Sequence, residues 1–286
     1  MTASVADDKT EVTKWTYNTK IPSYGATGWW DKSAYKEGMV LGDIWGLQFD
    51  RFLTEDDFNA DGSLKAGLPD QTKVFPAGYQ FAPGDVLYKD LDNNGEIVKQ
   101  TNTNDKGDLS VIGNALPRLQ FGLNLDAAWK GFDISMFFQG GAKRKLWAAG
   151  NQVLPGFTTG EPFYKGAEDY WTPENTDAFY PRPMDYKQSA SGNYSVNDRY
   201  LLNMAYLRLK TFTVGYSLPK VWLSKFKVQG LRVYFTGENL FTIDGVKPAI
   251  DPEIGIRTAS GKSDQRNFGR SYPYQKTVSF GIQLSL

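Results

Sequence analysis

The sequence predicts an all-β chain, a portion of an antiparallel transmembrane β-barrel of about seven or eight strands with long extracellular loops. Three observations carry this reading. Apolar and polar residues alternate with period two over long stretches. Those stretches run about 10 to 13 residues, enough for a tilted strand to cross a bilayer and about twice an ordinary soluble strand. Short and long connections take turns along the chain, as in a barrel with tight turns on one side of a membrane and long loops on the other.

The first elements are the weakest. A faint strand signal lies within residues 4–17, and residues 41–53 put Trp45, Leu47 and Phe49 on one side. The pattern then sharpens. Residues 118–129 set Leu119, Phe121, Leu123, Leu125, Ala127 and Trp129 against Arg118, Gln120, Gly122, Asn124, Asp126 and Ala128. In residues 132–139, Phe132, Ile134, Met136 and Phe138 oppose Asp133, Ser135, Phe137 and Gln139. Residues 206–218 alternate less cleanly. In residues 231–238, Leu231, Val233 and Phe235 oppose Arg232, Tyr234 and Thr236. Residues 277–286 alternate without an error, with Val278, Phe280, Ile282, Leu284 and Leu286 on one face.

Lys130-Gly131 is a tight hairpin, residues 219–230 form a medium turn, and residues 54–117, 147–205 and 244–275 are long connections. With a last strand descending to the periplasm, the three long connections fall outside. Residues 19–40 then face the periplasm, where they are long for a turn. Trp129, Phe132, Tyr206, Tyr216 and Phe241 stand near strand ends, the place of the aromatic girdles at membrane interfaces. A large soluble β-sandwich is the competing architecture, because its strands alternate too.

Composition narrows the chemistry. Lys and Arg number 32 against 32 Asp and Glu, a balance that argues against a nucleic-acid partner. The chain has no Cys and no His, which excludes disulfides, thiolate and imidazole metal sites, and the serine–histidine–carboxylate triad. A glycosidase working with two carboxylates is the remaining enzymatic reading. Adjacent pairs such as Asp56-Asp57 and Glu168-Asp169 show no context that would raise a pKa or set the required separation. No apolar run reaches the length of a membrane-crossing helix. The first ten residues lack the basic start and apolar core of a signal peptide.

Several segments resemble the C-terminal part of the SusC/RagA family, the TonB-dependent outer-membrane transporters of Bacteroidota. Val111-Ile-Gly-Asn-Ala-Leu-Pro-Arg118 is similar to the family's IGN-x-x-P-R approach to a strand. Trp129-Lys-Gly-Phe-Asp-Ile-Ser-Met-Phe-Phe-Gln-Gly140 resembles its YKGFDLS-x-FFQG hairpin. Tyr206-Leu-Arg-Leu-Lys-Thr-Phe-Thr-Val-Gly-Tyr-Ser-Leu-Pro219, Leu231-Arg-Val-Tyr-Phe-Thr-Gly-Glu-Asn-Leu-Phe-Thr242 and Tyr272-Pro-Tyr-Gln-Lys-Thr-Val-Ser-Phe-Gly281 match its later strands. The resemblance covers nearly everything after Val40. It departs at Leu286, where the family usually ends in an aromatic residue.

The resemblance implies that residues 1–286 are the C-terminal part of a receptor barrel of about 22 strands, without the plug and signal peptide of such receptors. It implies location in the cell outer membrane and no enzymatic activity. It implies uptake of an oligosaccharide or a peptide with a SusD-like surface lipoprotein. Energy would come from the TonB complex through the plug region. The wall would contact outer-membrane lipid, and the polar strand residues, among them Arg118, Gln120, Asp133, Arg208, Arg232 and Gln283, would line the lumen. The competing function is a soluble β-sandwich module that binds glycans.

Two constellations could bind ligands. Asp90, Asp92 and Asn94, with Gly95 and the carbonyl of Glu96, fall at the spacing of a calcium loop. Thr101 stands where the closing acidic ligand belongs, so Asp105 or Asp108 would have to replace it. A plain Asn-Gly turn accounts for the same residues. The loop aromatics Trp147, Phe163, Tyr164, Tyr170 and Trp171 are the candidate substrate contacts, since exposed rings stack on sugars or side chains; packing against each other is the alternative.

Overall fold

The computed structural model describes residues 1–15, 37–102, 105–148, 150–157, 163–184, 192–224, 228–247, 250–253, 272 and 274–286. In chain order the strands are β1 (Thr2–Asp7), β2 (Asp43–Gly46), β3 (Phe49–Phe52), β4 (Val86–Tyr88), β5 (Lys99–Asn102) and β6 (Asp105–Gly107). There follow β7 (Ser110–Asn114), β8 (Leu119–Trp129), β9 (Phe132–Ala142), β10 (Lys145–Leu146), β11 (Leu202–Asn203) and β12 (Tyr206–Ser217). The last are β13 (Gly230–Glu238), β14 (Thr242–Asp244) and β15 (Thr277–Ser285).

One antiparallel sheet of seven strands, ordered β1-β8-β9-β12-β13-β15 with β14 beside β12, dominates the chain. Its register keeps like residues in rows. Phe132, Tyr216, Val233 and Ile282 are neighbours across four strands, and Ile134, Val214, Phe235 and Phe280 form the next apolar row. Between them lie Asp133, Gly215, Tyr234 and Gly281 on the opposite face, and that face continues beyond the second row with Ser135, Thr213, Thr236 and Ser279, where the Thr213 and Thr236 hydroxyls meet at 3.1 Å. A bulge between Leu209 and Thr211 lets β12 take one extra residue, Lys210, against β9. This accounts for the imperfect alternation of residues 206–218.

The β8–β9 hairpin is set by its two connecting residues. Lys130 (φ 48°) and Gly131 (φ 88°) are both left-handed, the condition for the turn whose twist matches that of the strands. A β-sandwich would cover the apolar face with a second sheet, and no second sheet packs on it among the described residues. Phe280 is 83% and Ile282 73% exposed there. The sandwich reading therefore fails on the structure, and the architecture is an open segment of a β-barrel wall.

The first part of the chain corrects the sequence reading. The faint strand within residues 4–17 is β1, and it pairs directly with β8 from Thr2↔Asn124 to Asp7↔Leu119. Asp8 stays beside the start of β8, its N–H donating to the Arg118 carbonyl at 3.0 Å. Residues 8–118 thus leave and return at one end of the sheet, and residues 41–53 do not cross it. They form the short strands β2 and β3, paired with β7 and β4. Their alternation is real, but Leu47 and Leu53 are buried in a compact lobe instead of facing lipid. Residues 37–40 therefore lie at the long-connection end and not at the opposite one, while residues 19–36 fall outside the described ones.

The lobe is built from residues 37–118 and 143–205. One core joins Leu47, Phe52, Val74, Val86, Tyr88, Ile97 and Trp171; the other joins Leu146, Trp147, Leu154, Tyr180, Tyr194, Tyr200 and Met204. Leu47 accepts the chain of the second segment directly, its N–H donating to the Val196 carbonyl at 2.9 Å. The long connections are consequently folded structure at one end of the sheet, opposite the Lys130-Gly131 hairpin and the β12–β13 connection.

Candidate functional site

The lobe surface carries a cavity of about 400 Å³ walled by Phe163, Tyr164, Tyr170, Tyr180, Tyr194 and three prolines, Pro155, Pro181 and Pro183, with Lys165 and Glu168 among its lining residues. Three of the five aromatic residues expected to bind ligand meet here, and Phe163, Tyr164 and Tyr170 are all exposed. A bridge between Tyr170 and Tyr180, with the Trp171 N–H donating to the Tyr180 carbonyl at 3.0 Å, fixes the two sides of the cavity. Tyr180 and Tyr194 stand behind the exposed rings as part of a hydrophobic core. Burial, then the nearby Asp169 carboxylate, pushes the Tyr180 hydroxyl up to about 12. It therefore stays protonated at physiological pH.

The other two aromatics are placed differently. Trp147 is 3% exposed in one core and Trp171 7% exposed in the other. Neither offers a ring face to a ligand, and both are corrected to structural roles. Loop aromatics serve cores and ligands alike, so composition could not separate the two groups.

The acidic constellation closes in three dimensions with one change. Carboxylate oxygens of Asp90, Asp92 and Asp108 lie within 4.8 Å of one another. Of the two substitutes for the missing closing ligand, Asp108 is brought into the set. It is fully buried and accepts the N–H groups of Leu91 and Val98, each at 2.7 Å. Asp90 accepts the Gly95 N–H at 2.8 Å, and this bond holds its carboxyl below the usual range. Partial desolvation pushes Asp92 up, aided by the charge of Asp108. Asn94 turns its amide nitrogen to Asp92 (3.0 Å) and its oxygen to the Glu96 N–H (2.8 Å). The Glu96 carboxylate is paired with Lys73. The side chains of Asn94 and Glu96 thus point to other partners. The three converging carboxylates suit a hard cation, which takes oxygen donors.

Sequence reasoning missed a third cluster, where β12 meets residues 250–253. Arg208 is buried and donates to Thr242 Oγ1 at 2.7 Å and to Asp251 Oδ1 at 2.8 Å, and it also pairs with Glu253. Lys210 Nζ reaches Glu253 Oε2 at 2.7 Å, and the Tyr206 hydroxyl donates to Oε1 at 3.0 Å. The available signal was the acidic pair around Pro252 opposite two basic residues of one strand. The cluster pins the connection after β14 to the polar face of the sheet.

Comparison with known proteins agrees with this geometry. No protein-family model matches the chain. It is 29% identical over 258 residues to the TonB-dependent receptor P3 of Formosa agariphila, covering 87% of this chain and 22% of that protein. It is 25% identical over 242 residues to the TonB-dependent receptor SusC of Bacteroides thetaiotaomicron, covering 81% of this chain and 22% of the relative. The fold matches the solved structure of the RagAB peptide transporter with a TM-score of 0.54 at 19% identity, over 87% of this chain and 23% of that one. The chain thus spans about a fifth of the length of the curated relatives it matches. The two relatives are named as receptors and the solved structure as a transporter. With its strand register, its long connections at one end and these likenesses, the chain matches a portion of the SusC/RagA-type TonB-dependent transporters.

Proposed function

We propose that the chain forms part of the wall and of the external lobe of an outer-membrane transporter that imports an oligosaccharide or a peptide. A SusD-like surface lipoprotein would hand over the substrate, and TonB would supply the energy. One observation carries this reading. Successive cross-strand rows of the main sheet alternate between an apolar face and a mainly polar one, and its long connections lie at one end. That is the form of a wall between lipid and a wet lumen. The kinship with SusC and the fold shared with a peptide transporter support it. On this reading Phe163, Tyr164 and Tyr170 contact the substrate at the lobe, and Asp90, Asp92 and Asp108 hold calcium that stiffens the loop between β4 and β5.

The chain has no native Cys, so single cysteines test the wall cleanly in the full-length protein. Cysteines at Val233, Phe235 and Ile282 should react with a bilayer-confined reagent, and those at Thr236 and Gln283 with a water-soluble one. Reaction of both sets with the aqueous reagent alone overturns the wall. Removing the Tyr164 or Tyr170 ring should weaken substrate binding by roughly 1 kcal/mol. Calcium should slow proteolysis of the lobe in the wild type and not in Asp92→Asn; identical protection in both removes the cation.

A further inference from the structure

The connection between β12 and β13 carries an exposed apolar pair that the wall does not explain. Pro219 precedes a single helical turn, Lys220–Leu223. Leu223 faces inward, while Val221 is 77% and Trp222 62% exposed. The connection is fixed to its neighbours. The Ser217 N–H donates to the Gly131 carbonyl at 2.8 Å, and the Leu218 N–H to the Leu231 carbonyl at 2.9 Å. It therefore lies against the β8–β9 hairpin, whose Trp129 is exposed with Lys130 Nζ 4.7 Å above its ring.

Two observations indicate what covers Val221 and Trp222. The first is continuity. The apolar face approaches this edge in a row running from Trp129 through Phe132, Tyr216 and Val233 to Ile282, followed by the Leu231–Leu284 pair. The helical turn begins four residues after Tyr216 in the chain, which on the wall reading is the depth where an acyl core gives way to headgroups. The second is charge. Residues 218–229 contain three lysines and no carboxylate, and Lys130-Gly131 adds a fourth lysine. Neither Lys130 nor Lys220 forms a salt bridge among the described residues. Exposed Trp beside unpaired Lys fits the interface of a phospholipid leaflet, where the ring sits at the headgroup level and the ammonium reaches phosphate.

We propose that the β12–β13 connection is a membrane-surface hook. Val221 and Trp222 enter the leaflet on the short-connection side, and Lys220 and Lys130 bind phospholipid phosphates. The hook rests on the wall reading above and adds a lipid contact outside the crossing strands. It fixes the depth of β12 and β13 in the bilayer, which strands with smooth apolar faces do not do alone.

The test uses the full-length protein reconstituted in vesicles of phosphatidylcholine and phosphatidylglycerol. An environment-sensitive dye is attached at Val221→Cys, at Val233→Cys as the wall marker, or at Ser63→Cys in an exposed lobe turn. Heat-modifiable gel mobility confirms that each variant is folded. The hook predicts blue-shifted emission at 221 and 233 and aqueous emission at 63. Brominated lipid should quench 221 best when the bromine is near the headgroup and 233 best when it is deep. Lys220→Glu with Lys130→Glu should cut the quenching at 221 at least twofold and leave 233 unchanged. Emission at 221 like that at 63, with 233 in lipid, overturns the hook while the wall stands, the result expected if a periplasmic protein covers this turn. Aqueous emission at 233 removes the wall and the hook together.

Discussion

Arg232 of β13 reaches across Gly215 of β12 to Asp133 of β9, with Nε 2.9 Å from Oδ1. The passage exists because position 215 has no side chain. A Cβ there would stand 2.5 Å from Nη2 and 2.6 Å from Nε, well inside contact distance. Three neighbouring strands are tied together on the polar face by one ion pair. Gly215→Ala should displace the guanidinium and break the pair, so it should shift the gel-mobility melting transition as Arg232→Ala does. Combining the two should add little, since both remove one interaction. Full additivity of the two shifts would show that glycine serves the backbone and not the passage.

Two other glycines test how much room the sheet has. A Cβ at Gly281 would lie 2.2 Å from Tyr234 Cζ, and its three nearest atoms all belong to that side chain. A Cβ at Gly140 would lie 2.2 Å from Phe121 Cζ and also 2.6 Å from the Tyr206 carbonyl oxygen. A ring can swing aside, whereas a carbonyl paired in the sheet cannot. Gly140→Ala should therefore cost about 1–3 kcal/mol in chemical unfolding, and Gly281→Ala clearly less. Equal losses would contradict the role assigned to the Tyr206 backbone.

The wall is legible in the sequence and the lobe is not, for a physical reason. A wall strand has one face in each environment for 9 to 12 residues, and period-two alternation records this directly. Only the bulge at Lys210 blurred it. The lobe strands are two to five residues long, too short for a period to register. Their partners are distant: Asn193 bonds Asp85 across 108 positions. Residues 41–53 alternate because they are half-buried in the lobe, a signal indistinguishable by pattern from a lipid face. In the acidic loop the local ligands Asp90 and Asp92 were legible from spacing. That Asp108 joins the set depends on how the chain returns between β6 and β7, and spacing does not contain that.

Acid should loosen the lobe at one identifiable point. Arg51 grips Asp57 through both guanidinium nitrogens, and burial opposes this only in part. The Thr54 N–H adds a bond at 2.7 Å, and the carboxyl falls to about 2. A lowered carboxylate pKa contributes stability that is complete above the unfolded value near 4 and is lost as pH falls toward 2. Arg51 is 42% exposed at its side chain, so water screens the pair and the contribution is about 1 kcal/mol. Proteolysis of the turn around Asp57 should speed up between about pH 4 and pH 2. In Asp57→Asn the turn should be looser at neutral pH and lack this step. A step of unchanged size in the variant would assign it to another group.

Asp85 makes the strongest demand on the lobe. Its carboxylate has no solvent exposure and accepts five bonds: from the Tyr79 hydroxyl (2.8 Å), the Ala82 N–H (2.9 Å), Arg182 Nε (2.8 Å) and Nη2 (3.2 Å), and Asn193 Nδ2 (2.9 Å). Asn193 in turn takes the Val86 N–H at 2.8 Å. One side chain therefore joins β4 to the segments around Arg182 and Asn193, which close the cavity side of the lobe. Removing the charge leaves Arg182 without its counter-ion and takes the carboxylate acceptor from five donor atoms. Breaking a buried, hydrogen-bonded pair in this way costs about 3–5 kcal/mol. Asp85→Ala should therefore unfold the lobe selectively. Protease should cut within residues 37–118 and 143–205, while the gel mobility of the wall stays that of the folded protein. Arg182→Ala should follow the same course more mildly, because Asn193, Tyr79 and the Ala82 N–H still hold the carboxylate. Loss of the wall together with the lobe in Asp85→Ala would show that the two fold as one unit. An Asp85→Ala lobe as resistant as the wild type would mean that the hydrophobic cores alone hold it.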